Sequence, residues 1–302
     1  MSAPGSIRRA IDWGELAPLR LRAREATEGV FAGMHRSARR GSGVEFGGHR
    51  EYLPGDDLRW LDRRSLLRHD RLVVRQFETE TERALCLLVD ASASMAFRGP
   101  RAPGAKLAFA SVVAAALTRV ALASGDPVSL AFLGGARELR PVARAGGREQ
   151  FERVVAALEA ADPGGDARKS GALLDRALQS VAHGTRRGAV LVLLSDLVDL
   201  PDGAPQKVAE LASRGRILVV VQTLDPSESS FPYRGTVRLR ALEGGVVVET
   251  DADTTRDRYL SALASLSAEW ERALVGRGGR LVRATTSDDA VKVVRDVVDA
   301  VR

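Results

Sequence analysis

From residue 84 onward, short apolar runs alternate with longer segments of helical periodicity, and this alternation narrows the fold to one class. The runs 84–89 (ALCLLV) and 189–194 (AVLVLL) contain no polar residue that could face water. Each is too short to be a buried helix of ordinary length, so both read as strands covered on two faces. Further strands are expected at 128–133, 217–223 and 280–284. Helices are expected at 106–123, 148–160, 171–182, 204–213, 255–275 and 289–301. Strands alternating with helices predict an α/β fold: a doubly wound, mainly parallel sheet with helices on both faces. The stretch 235–250 differs, because two alternating runs flank a Gly pair, which predicts a hairpin insertion.

Upstream, Leu16, Leu19, Ala23, Ala26 and Val30 recur at helical spacing, which predicts an amphipathic helix over 12–33. A turn-rich stretch follows, with glycines at 41, 43, 47, 48 and 55, and then an expected strand at 71–77. The domain organisation expected from these patterns is an N-terminal helix and β-rich segment, 1–83, followed by the α/β domain, 84–302. At 302 residues, with 45% apolar and only 5% aromatic residues, the chain can bury a full core built mostly of Ala, Val and Leu.

The net charge of +6 raises the question of nucleic-acid binding. Residues 1–83 hold 16 Lys/Arg against 13 Asp/Glu, and the remainder 29 against 26, so the basic excess is spread evenly. Phosphate binding calls for a patch of one sign, and this surface is mixed. The best basic cluster, Arg36 to Gly43 (RSARRGSG), reads as a solvated loop, with an anionic partner as the alternative. Cys86 is the single cysteine, and its apolar surroundings mark it as a small buried hydrophobe. The N-terminus has no apolar segment of signal-peptide type, and the apolar stretch 107–117 is too short to cross a bilayer. A cytoplasmic protein is the expectation.

The chemistry is expected where strand 84–89 ends, in Asp90-Ala91-Ser92-Ala93-Ser94. In an open parallel sheet, ligands bind beyond the carboxyl ends of the strands, near the point where the strand order reverses. One carboxylate and two hydroxyls on a single turn offer hard oxygen ligands, which suit Mg2+ or Mn2+. Strand 189–194 ends in Ser195-Asp196 and delivers a second carboxylate to the same edge. Capping of the next helix is the competing role for Asp90, Ser92 and Ser94. It is disfavoured because that helix is expected more than ten residues downstream.

This pattern, strand–Asp-x-Ser-x-Ser–helix and then strand–Ser-Asp, resembles the metal-ion-dependent adhesion site of von Willebrand factor A domains. Upstream, Glu45-Phe46, Arg50-Glu51-Tyr52, Pro54-Gly55-Asp56-Asp57 and Arg59 resemble the signature of a bacterial family, domain of unknown function fifty-eight. That family joins the signature to a von Willebrand factor A-like domain. The resemblance covers about residues 20–225. It implies a non-enzymatic adaptor with metal ligands Asp90, Ser92, Ser94 and Asp196. It also implies work with a MoxR-type AAA+ ATPase in assembling or remodelling complexes, and docking of a partner or client through an acidic side chain.

The sequence departs from the family pattern in two places. The signature continues as Leu61-Asp62-Arg63 where Ile-Asp-Trp is usual. The third loop, Gly164 to Gly171 (GGDARKSG), lacks the Thr that usually ligates the metal, which leaves Asp166 and Ser170 as its oxygen donors. Arg168 or Lys169 could instead neutralise the acids and retire the site. Pro54-Gly55-Asp56-Asp57 also reads as an ordinary turn, with Asp57 and Arg59 pairing internally.

Two other function classes stay open from the residues alone. One is nucleic-acid association through the Arg-rich N-terminal segment, and the other is an Mg2+-dependent hydrolase. His35, His49, His69 and His183 have no metal-ligand spacing, and no G-x-S-x-G elbow, Walker A or G-x-G-x-x-G motif is present.

Overall fold

The computed structural model describes residues 11–31, 45–51, 73–78, 83–136, 138–165, 171–198, 200–213, 215–242 and 246–301. The first helix, α1 (Leu19–Phe31), starts seven residues later than its periodicity predicts. The cause is Pro18: its missing N–H and its ring end any helix that approaches from the N-terminal side. Its carbonyl accepts from Leu21 and Arg22 at the head of α1, while Gly14–Leu16 form a separate 3-10 turn.

The chain divides into two units, one of residues 1–33 with 84–302 and one of residues 34–83. The N-terminal helix therefore groups with the α/β unit. Leu19, Ala23, Ala26 and Val30 are buried against α/β-unit helices, and the Thr27 hydroxyl reaches the carbonyl of Ala116 at 3.4 Å. In the smaller unit, β1 (Glu45–Glu51) pairs antiparallel with β2 (Val73–Glu78), with a bulge between Phe46 and Gly48.

The larger unit is built on six strands: β3 (Leu85–Ala91), β4 (Val128–Gly134), β5 (Val142–Ala145), β6 (Val190–Ser195), β7 (Ile217–Leu224) and, after the insertion described below, β10 (Arg280–Thr285). Their order across the sheet is β10-β7-β6-β3-β4-β5. All neighbours run parallel except the edge strand β5, which is antiparallel to β4. This is the α/β, mainly parallel arrangement that the alternation predicts. The order reverses at β3: the chain leaves it toward β4, and β6 returns on its other side. The switch point therefore lies between the carboxyl ends of β3 and β6.

Helices cover both faces. On one, α4 (Gly171–Gly184), α5 (Ala204–Ala209) and α7 (Ala252–Val275) bury Leu174, Leu178, Val208, Trp270 and Leu274 against Cys86, Leu88, Leu191, Leu193, Leu218 and Val220. Alternation sends Leu87, Val89, Val192, Val219 and Val221 to the other face. There α1 and α8 (Ala290–Ala300) pack around α2 (Lys106–Ala123). Helix α3 (Arg148–Glu159) packs beside α2. Helix α2 has 18 residues, which makes it long and apolar enough to cross a membrane by length and composition, unlike the shorter stretch seen in the sequence. Here it is a core helix, with 83% of its length buried.

The expected hairpin is present: β8 (Thr236–Arg240) pairs antiparallel with β9 (Val247–Asp251) as a separate two-stranded sheet. The edge strand β5 and the short helix α6 (Pro226–Ser230), which directly follows β7, lie outside what the sequence predicts.

Candidate functional site

The register of the sheet assembles the site. Val89 pairs with Leu194, so the next residues, Asp90 and Ser195, are neighbours on adjacent parallel strands. Alternation puts them on one face, and the Ser195 hydroxyl donates to Asp90 Oδ2 at 2.6 Å. Asp90 Oδ1 accepts the Ser92 N–H at 2.9 Å, and the Ser92 and Ser94 hydroxyls are 3.0 Å apart. Asp90, Ser92 and Ser195 are fully buried and Ser94 partly so.

A 3-10 turn, Ala93–Ala96, starts directly after Ser92, much closer than the helix expected from the sequence, but no side chain caps it.

Asp196 follows Ser195 and, by alternation, leaves the strand on the opposite side, where α2 begins. Its Oδ2 accepts from Lys106 Nζ at 2.7 Å, and its Oδ1 accepts the Val198 N–H at 3.0 Å. Lys106 Nζ also donates to Glu228 Oε1 at 2.6 Å, with the Phe97 ring 5.8 Å away. Between these residues, Leu197 takes a left-handed backbone (φ 63°), which is unusual for a bulky side chain. It is held there by burial of its side chain and by its N–H bond to Ser195 Oγ at 2.9 Å. Backbone strain of this kind persists only where the surroundings fix it.

Helix α6 brings Glu228 into place through a capping box. Asp225 accepts the Ser227 N–H at 2.7 Å, and Glu228 Oε2 accepts the Asp225 N–H at 2.9 Å. The second oxygen of Asp225 accepts the Gly99 N–H at 2.7 Å, which ties the loop before α2 to the end of β7. A Cβ on Gly99 would lie 2.3 Å from Asp225 Oδ1, so only glycine allows this approach.

Charge follows from burial. Asp90 is pushed up from 3.8 to about 6, first by loss of water and then by the nearby charge of Asp196; the bonds from Ser195 and Ser92 offset only part of this. Burial pulls the Lys106 ammonium down, but the charges and hydrogen bonds of Asp196 and Glu228 outweigh it and hold the group well above the ordinary lysine range. The Glu228 carboxyl is raised by burial, against the pull of Lys106.

The structure thus brings Asp90, Ser92, Ser94 and Asp196 to one edge of the sheet. The other expected ligands, Asp166 and Ser170, lie outside the described residues, as do Arg168 and Lys169. The Pro54–Arg59 turn and the Arg36–Gly43 cluster also lie outside them. Lys106, Glu228 and Asp225 were not singled out from the sequence. Each carried a signal: Lys106 is a charge at the head of an apolar helix, and Asp225 to Glu228 (DPSE) spells a capping box.

The Ser92 and Ser94 hydroxyls are hydrogen-bonded to each other at 3.0 Å, a separation that an octahedral edge of ligands at about 2.1 Å from Mg2+ also has. Carboxylates are scarcer. Among the described residues no group of three His, Cys, Asp or Glu is placed to hold a metal ion.

Comparison with known proteins places the chain among uncharacterised relatives. It is 31% identical over 295 residues to the uncharacterized protein Rv1480 of Mycobacterium tuberculosis (strain H37Rv), covering 95% of this chain and 90% of the relative. The uncharacterized protein Mb1516 of Mycobacterium bovis matches equally, with 31% identity over 295 residues, 95% of this chain and 90% of the relative. Among solved structures it is similar to the conserved hypothetical protein BatB from Bacteroides thetaiotaomicron (TM-score 0.45, 16% identity, 72% of this chain and 98% of that one). It is also similar to the SpRpn10 VWA domain (TM-score 0.42, 11% identity, 72% and 94%). The family model described as "Protein of unknown function DUF58" matches residues 48–269, more than half of the chain. With that match and 31% identity along almost its whole length to its mycobacterial relatives, the chain belongs to the DUF58 family.

Proposed function

We propose that this protein is a non-enzymatic interaction module that docks a partner's Asp or Glu through a metal-ion-dependent adhesion-type site. Asp90, Ser92, Ser94 and Asp196 would hold Mg2+ or Mn2+, joined by Asp166 or Ser170 from the third loop. When bound, the ion supplies an electrophilic contact for a carboxylate from outside. The observation that carries this reading is the placement of Asp90 and the hydrogen-bonded Ser92–Ser94 hydroxyl pair together at the switch point of a parallel sheet. The carboxylates have a positioning part. Both oxygens of Asp90 and both of Asp196 already accept hydrogen bonds, so their orientation is fixed before any ligand arrives. Ser195 supports binding over catalysis, since its hydroxyl is buried and engaged with both Asp90 and Leu197.

In this reading the protein acts in the cytoplasm, as an adaptor for a MoxR-type AAA+ ATPase or for a client that offers an acidic side chain. Calorimetric titration of Mg2+ and Mn2+ into the protein and its Asp90→Ala variant tests the site. Saturable binding that Asp90→Ala abolishes is expected, and binding that Asp90→Ala leaves unchanged refutes it. Co-sedimentation with a MoxR-type ATPase, with Mg2+ or with EDTA, tests the partner: the reading expects a complex that chelation weakens.

A further inference from the structure

Lys106 is an unexpected residue for its position. It opens α2, where the positive end of the helix dipole disfavours a cation, and its side chain is only 1% exposed. An ion pair taken out of water seldom stabilises a fold more than well-packed apolar residues of similar size would. The core of α2 therefore supplies no reason for a charge here. Its partners do: Nζ bridges Asp196, at the end of β6, and Glu228, beyond the end of β7. Asp196 is a proposed metal ligand, and Asp90, whose carboxyl feels the charge of Asp196, is another.

We propose that Lys106 is a resident countercharge that keeps the site's affinity for a divalent cation low until a partner's carboxylate joins. This inference rests on the metal-dependent reading above. The ammonium holds one oxygen of Asp196 and cancels part of its charge, and it ties Glu228 into the same ion pair. Without it, Asp196 and Glu228 would be left as unpaired carboxylates, one buried and one partly so, at the end of the sheet that also carries Asp90. Their uncancelled charge would draw a divalent ion to this edge without a partner, and docking would lose its dependence on the partner. Lys106 is thus a positioning residue that acts through Asp196.

The sign of one measurement separates this role from a merely structural one. If Lys106 only supports the fold, removing it loosens the site and weakens metal binding. If it is a countercharge, removing it strengthens binding. Mn2+ alone is titrated by calorimetry into the full chain and into Lys106→Met and Lys106→Arg, and each protein is melted with Mn2+ and with EDTA. The expected result is about 10-fold or tighter Mn2+ binding by Lys106→Met, from removing a unit charge that sits directly on a proposed ligand of the ion. Mn2+ should also raise its melting temperature more than that of the parent. Lys106→Arg, which keeps the charge, should stay near the parent affinity.

Equal or weaker binding by a folded Lys106→Met overturns the proposal. Should Lys106→Met not fold, Glu228→Gln carries the test in the opposite direction. With Glu228 neutral, the whole charge of Lys106 falls on Asp196, and Mn2+ should bind more weakly than to the parent; unchanged or tighter binding overturns the proposal. If the parent binds Mn2+ in an Asp90-dependent way and Lys106→Met binds no tighter, the countercharge falls and the metal reading stands. If neither protein takes up Mn2+, both fall.

Discussion

Replacing Asp90 with Asn should make the metal-free protein more stable at neutral pH, although it removes a residue placed in the site. The Asp90 carboxyl is raised from 3.8 to about 6 in the folded chain, chiefly by burial and then by Asp196. A folded-state value above the unfolded one means that the native protein holds the proton more tightly. The stability from this group is complete below about pH 4 and is lost as the pH rises through about 6. The gap corresponds to about 3 kcal/mol at pH 7. Asn keeps the shape, accepts from the Ser92 N–H through its carbonyl, and donates to Ser195 Oγ once that hydroxyl turns. Urea unfolding of both proteins in EDTA, from pH 4 to pH 8, gives the comparison. The variant should match the parent near pH 4 and exceed it by about 3 kcal/mol at pH 7. A difference that does not change with pH, or a variant less stable at pH 7, would refute the reasoning that desolvated charge at Asp90 costs stability.

Three further predictions concern the frame around the site. Trp270→Ala empties the core between α7 and the sheet, where the ring is 1% exposed, and should cost about 3–5 kcal/mol in urea unfolding; a loss below about 1 kcal/mol would mean that the site collapses freely. Gly99→Ala forces a Cβ against Asp225, so the Gly99 N–H bond breaks and about 2 kcal/mol should be lost by the same assay. Arg20→Ala removes an exposed ion pair with Glu152 and should change stability by less than about 1 kcal/mol, a change that 0.5 M salt reduces further.

Much of the fold is legible in the chain because the apolar runs leave little choice. A segment such as 189–194 has no polar face, so it must lie between helices, and the strand ending in Asp90 follows the same rule. Local chemistry misleads in particular places. Pro18 breaks a periodicity that runs through it, and a four-residue edge strand such as β5 carries too little pattern to be recognised.

The carboxylates and serines of the site are readable as a motif because they sit where strands end. Their pairing is not. Which oxygen Ser195 meets depends on the register of Val89 with Leu194, a contact between residues about a hundred positions apart. Lys106 carries the same lesson further. In the sequence it is one charge before an apolar helix. Only the packing of α2 over the ends of β6 and β7 places it between Asp196 and Glu228 and makes it part of the site, because the burial and opposite charge that give it a role are supplied by residues distant in the chain.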